Sequence, residues 1–201
     1  DAAREETAPF LLRARLAGLS FLMLFVELAL IRWSASNNIH LAYLTNFVLL
    51  ASFLGIGAGF LAARRRLELF PFAPLPLALL VGFVLAFPVR MPALGSHAYQ
   101  LRGNFDSAPI DKWISLPVIF VLTVATLACI GQAVARIFVR LPALDAYRLD
   151  VLGSIAGIVA FSGLAFLQLP PLAWGAVAGL GLVALGSRRP RWWQWAGVGA
   201  V

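Results

Sequence analysis

Glu27 is the side chain whose type and surroundings most invite chemistry, because it stands in an apolar run, Phe25-Val26-Glu27-Leu28-Ala29. An ionisable group inside a membrane span costs at least a few kcal/mol and is by default a functional candidate. It precedes Trp33 by six residues, which puts it about 9 Å below that interfacial residue on a helix. Asn46 falls at a similar depth on the next apolar segment, counting inward from His40. Arg32, Asn37, Asn38 and His40 crowd the connection between the two segments. Glu27, Arg32, Asn38, His40 and Asn46 therefore form a candidate intramembrane polar cluster. Such a set suits a cation, a proton or a polar ligand. It equally suits a buried hydrogen-bond network that locks the first helical hairpin.

The run Gly55-Ile56-Gly57-Ala58-Gly59 has the density of a nucleotide-cradling turn. That turn needs a strand before it, an exposed helix start after it, and an acid about 20 positions on. Here a long apolar run precedes it, an arginine cluster follows, and Glu68 comes too soon. Small residues at close spacing let membrane helices approach. Gly55, Gly57 and Gly59 are therefore expected to be helix-packing glycines, as are the pairs Gly153 with Gly157 and Gly175 with Gly179. Gln132 carries a weaker signal. Asp150 is expected just before the fifth helix, where a carboxylate favours the helix N-terminus. His97 has no neighbouring His or Cys, and Cys129 is the single cysteine. No catalytic, cofactor-binding or metal-ligating set can be assembled.

These residues need elements to hold them, and composition says which. Hydrophobic residues make up 61% of the 201 and charged residues 12%, with a mean hydropathy of +0.88. Soluble domains carry about a quarter charged residues, so most side chains here face something other than water. A span needs roughly 20 apolar residues to cross about 30 Å of hydrocarbon. Spans are expected at 16–33, 41–63, 72–89, 113–135, 151–169 and 171–187, with an external loop at 90–112. The last two come from one stretch of 37 uncharged residues, 151–187. At about 55 Å as a single helix it is too long for one crossing, and Pro170-Pro171 divides it. The expected architecture is an all-α, polytopic transmembrane bundle of about six spans forming one domain, 1–201. Residues 196–201 would begin a seventh span of a longer chain.

The net charge of +7 would suit a nucleic-acid partner in a soluble protein. In a membrane protein, Lys and Arg gather in cytoplasmic loops. With the N-terminus cytoplasmic, Arg4, Arg13, Arg15, Arg64, Arg65, Arg66, Arg136, Arg140, Arg148, Arg188, Arg189 and Arg191 lie inside. Arg32, Arg90, Arg102 and Lys112 lie outside. The bias keeps its sign at every loop. The expected partner is the lipid bilayer of a bacterial inner membrane, and no nucleic acid.

Three segments resemble the membrane region of spermidine-synthase-like proteins, a helical, major-facilitator-like region fused to a soluble aminopropyltransferase-type domain. The first is Phe25-Val26-Glu27-Leu28-Ala29 followed by Arg32; the second is Gly55 to Gly59 leading to Arg64-Arg65. The third is Tyr147-Arg148-Leu149-Asp150-Val151-Leu152-Gly153-Ser154-Ile155-Ala156-Gly157, similar to the pattern Tyr-x-x-Asp-x-x-Gly-Ser/Ala-x-x-Gly. The loop at 90–112 is longer than that family's, and 34–40 is not its usual small-residue loop. The resemblance implies a domain that anchors or assists a cytoplasmic transferase domain absent from this chain. The alternatives are an accessory subunit packed among other membrane subunits, and a small-solute transporter-like protein using Glu27 and Asn46.

Overall fold

The computed structural model describes residues 2–37, 45–87 and 112–186. Asn38, His40, His97, the external loop up to residue 111, Arg188, Arg189, Arg191 and the start of a seventh span lie outside them. The described chain is all-α, with six helices: α1 Ala2–Asn37, α2 Thr45–Leu61, α3 Pro74–Ala86, α4 Lys112–Phe138, α5 Ala143–Phe166 and α6 Pro171–Leu185. Four apolar stretches are long enough to cross a bilayer: Phe10–Ser36, Asn46–Arg64, Ile114–Phe138 and Ala143–Phe166. The helices α3 and α6 have 13 and 15 residues, about 20 Å each, and are shorter than a full crossing.

Proline chemistry sets several boundaries. Pro74 and Pro76 sit in the first turn of α3, where the missing N–H groups would have had no partner, so the helix can start at Pro74. Pro142 precedes α5 in an extended conformation. That helix starts at Ala143, eight residues before position 151, because Asp145 and Arg148 are tolerated in its first turns. At its other end Leu169 N–H donates to Leu164 O at 3.1 Å and Gln168 N–H to Ala165 O at 3.1 Å. These are the two bonds of a Schellman stop, with Gln168 at a φ of 52° in the position glycine prefers. Pro170 and Pro171 then start α6.

Packing follows the glycines. A Cβ on Gly153 would strike Ala17 O, and one on Gly157 would lie 2.5 Å from Phe21 O. The equal spacing of the two contacts makes α1 and α5 parallel. Gly55 sits in the same way against Val124 O and Gly59 against Ala128 O, at 2.6 and 2.5 Å, so α2 and α4 are also parallel. Gly18 faces Leu185 while Gly181 faces Leu22, which sets α6 antiparallel to α1. The closest pairs are thus α1 with α5 and α2 with α4, not the α1–α2 hairpin that chain order suggests. Outward faces carry large apolar side chains, among them Phe53, Leu61, Leu152, Val159 and Phe166. These suit contact with lipid, whereas in water so much exposed apolar surface would be a liability.

Arg13 pairs with Asp145 at 2.9 Å, and only four residues separate α4 from α5. Arg136, in the last turn of α4, reaches the segment after α2. The start of α1, the ends of α2 and α4 and the start of α5 therefore share one basic end of the bundle. Arg32 lies toward the other end.

Candidate functional site

Helix α1 divides its faces among its neighbours. Ala17 and Phe21 meet α5, and Gly18 and Leu22 meet α6. Val26, Ala29 and Trp33 line a groove shared with α3 and α6. The stripe that remains is Leu16, Ser20, Met23, Glu27 and Ser34, all buried, and on a 3.6-residue helix they share one side. Ser20, Glu27 and Ser34 recur every seven residues along it.

Of the three polar groups on this stripe, only Ser20 is paired among the described residues. Ser20 Oγ donates to Asp150 Oδ1 at 2.6 Å. Asp150 therefore lies inside α5 and ties it to α1, rather than capping a helix start. Glu27 is 4% exposed, and among the described residues its carboxylate has no hydrogen-bond or ion-pair partner. Ser34 Oγ is buried without a partner, as are Ser115 Oγ and Thr123 Oγ1 on α4, which also packs on α1. By contrast, Ser52 Oγ donates to Val48 O and Thr126 Oγ1 to Leu122 O, the usual way a hydroxyl is satisfied within a helix. Counting from Arg13 and Arg136 at the basic end, Glu27 and Thr123 are about 20 Å up their helices. Among the described residues the bundle thus holds, on buried faces at matched depth, an unpaired carboxylate and the unpaired hydroxyl of Thr123, with Ser34 and Ser115 about 10 Å farther along.

Among the described residues no hydrogen bond or ion pair joins Arg32 or Asn46 to Glu27, and Asn38 and His40 lie outside them. Arg32 is exposed and its guanidinium carbon lies 5.5 Å from the ring centre of Trp174. Asn46 is exposed on the first turn of α2. An aromatic chain runs beside them instead: Phe21 stacks on Phe25, Phe25 meets Phe161 edge-on, and Phe161 meets Trp174 at 5.3 Å.

At the basic end, Gln132 and Arg136 form a clamp whose extent the sequence does not announce. Gln132 Nε2 donates to Ala62 O at 2.9 Å and Leu67 O at 3.0 Å, and its Oε1 accepts from Leu69 N–H at 2.7 Å. Arg136 donates to Ala63 O, Arg65 O and Leu67 O and pairs with Glu68 at 3.2 Å. Two side chains one turn apart thus hold the backbone of the segment that follows α2. The available signal was a Gln-x-x-x-Arg pair closing a charge-free helix.

The glycines separate by role. Gly55 and Gly59 lie within the continuous helix α2 and touch the α4 backbone, so their N–H groups belong to the helix and cannot cradle a phosphate. A Cβ on Gly57 would meet nothing within 4 Å. Gly179 is buried and Gly175 lines the groove, while the close approach of α6 to α1 falls at Gly181. Among the described residues no three His, Cys, Asp or Glu side chains gather in a way that could hold a metal. Set beside models of protein families, curated proteins and solved structures, the chain gives no match.

Proposed function

We propose that this chain is the membrane-embedded domain of a spermidine-synthase-like protein, and that its bundle anchors and orients a transferase domain at the basic, cytoplasmic end. The supporting observation is where the third resembling segment falls. Asp150, Gly153 and Gly157 form one joint with Ser20, Ala17 and Phe21 of α1. Residues that specify a helix-to-helix joint are what a scaffold requires. The clamp of Gln132 and Arg136 serves the same end, because it fixes the 62–69 connection on the face where a soluble domain would rest.

The test is photolabelling of the full-length protein in native membranes with an azido analogue of decarboxylated S-adenosylmethionine. The label is expected in polypeptide downstream of residue 201. Label within residues 1–201, or a full-length protein that takes none, would overturn the proposal.

A second reading rests on a separate observation, the Glu27 carboxylate, which has no partner among the described residues. A carboxylate held in a span with an unpaired hydroxyl at its depth suits a proton or a small cation. On that reading the domain conducts or senses as well as anchors.

A further inference from the structure

The groove between α1, α3 and α6 lies on the far side of α1 from the Gly153 joint. It encloses about 220 Å³. Its walls are apolar: Val26, Ala29 and Trp33 from α1, Leu77 and Leu85 from α3, and Trp174 from α6. Leu85 and Leu172 on its rim are exposed, so the groove opens sideways, toward the surface that faces lipid in a bilayer. At one end stands Arg32, its guanidinium 5.5 Å from the ring centre of Trp174. Arg32 is exposed and has no ion-pair partner among the described residues. Trp174 is only 8% exposed, and its Nε1–H has no acceptor among the described residues.

We infer that this groove takes an acyl chain of an anionic phospholipid, whose phosphate is held by Arg32. The argument is one of complementary chemistry along a single axis. From position 26 to 33 the wall rises about 10 Å, from apolar helix interior to the Arg32-Trp33 pair. A phospholipid has the same order, hydrocarbon below and anionic phosphate above. Arginine is the side chain best suited to phosphate, with several N–H donors in a planar fork. A tryptophan beside it is the residue typical of the headgroup level. A zwitterionic lipid would fill the groove equally well but gain less from Arg32. Free phosphate would gain nothing from the walls.

The experiment is native mass spectrometry of the purified protein in detergent, with phosphatidylglycerol and phosphatidylcholine of identical chains. Wild type is expected to retain phosphatidylglycerol preferentially. Arg32→Gln should lower that preference roughly fivefold, about the worth of one basic side chain at an anionic surface, and leave phosphatidylcholine retention unchanged. Gly175→Leu places a side chain in the groove and should remove both lipids. Should that variant fail to fold, as judged by circular dichroism and elution, Leu85→Trp at the rim serves the same purpose. Glycerol phosphate should not compete. Equal preference in wild type and Arg32→Gln would overturn the inference, as would full lipid retention in the groove-filled variants. So would a cysteine at position 85 that, once alkylated with benzophenone maleimide and irradiated, inserts into residues 187–201 or a second copy, because a protein segment would then own the groove.

Discussion

Gly157 rests on the carbonyl of Phe21, with no room between them: a methyl group on the glycine would lie 2.5 Å from that oxygen. The same relationship recurs between Gly59 and Ala128 in the other half of the bundle. Backbone-on-backbone contact is what holds α1 to α5 and α2 to α4. In lipid such contact matters because burying apolar side chains between helices gains little over leaving them in hydrocarbon.

Gly59 and Gly57 therefore make a matched pair for test. Gly59→Ala pushes a Cβ into backbone atoms of α4, which cannot swing aside as a side chain would, and should cost about 1–3 kcal/mol. Gly57→Ala points into open space and should be neutral, or gain up to about 1 kcal/mol from helix propensity. Thermal unfolding of both variants in detergent checks this. Equal melting shifts would mean that α2 does not pack on α4 through Gly59.

Removing the Gln132 amide should loosen one connection without unfolding the bundle. Gln132→Leu removes one donor each from Ala62 O and Leu67 O, which keep Arg65 N–H and the Arg136 guanidinium, and leaves Leu69 N–H without its acceptor. Such an unsatisfied group costs about 1–3 kcal/mol, less where water reaches it. Arg64, Arg65 and Arg66 are exposed, so trypsin should cut there faster in the variant than in wild type. An unchanged cleavage rate would argue against the clamp.

Gln168 holds a left-handed conformation that glycine adopts freely. Gln168→Gly should stabilise the turn between α5 and α6 by up to about 1 kcal/mol, since a side chain there costs roughly 1–2 kcal/mol. A lower melting temperature for this variant would contradict the Schellman stop.

Glu27 tests the second reading. Because Glu27 has no partner among the described residues, Glu27→Leu should leave detergent stability at or above that of wild type, since burying an unpaired polar group is costly. Glu27→Gln should be mild. If the carboxylate serves a proton or cation, both variants lose that coupling while remaining folded. A drop in melting temperature for Leu but not Gln would reveal a hydrogen-bonded network around Glu27 and return it to a structural role.

The helices were legible because apolar length is a one-dimensional signal, and the division at Pro170 followed from proline chemistry alone. The start of α5 was harder to read, since Asp145 and Arg148 look like a loop until Arg13 is seen pairing with Asp145. Gly55, Gly59, Gly153 and Gly157 could be recognised as contact residues by spacing, but their partner helices could not. Chain order favours hairpins, whereas the glycine faces select parallel neighbours far apart in sequence. For the polar cluster, Arg32 and Asn46 can be placed near Glu27 in depth, but depth does not fix the direction a residue faces around its helix. Gln132 was underrated because its partners are backbone carbonyls, which leave no mark in a sequence.

The central claim is a membrane bundle with its basic end in the cytoplasm, and labelling of engineered cysteines in intact cells tests it most directly. In a Cys129→Ala background, Ser36→Cys and Arg65→Cys place single thiols at exposed positions toward opposite ends of the bundle. A membrane-impermeant maleimide should label position 36 in intact cells, and position 65 only after the membrane is opened. Labelling of position 65 in intact cells, with position 36 protected, would contradict the orientation and remove the platform on which the proposed transferase domain rests.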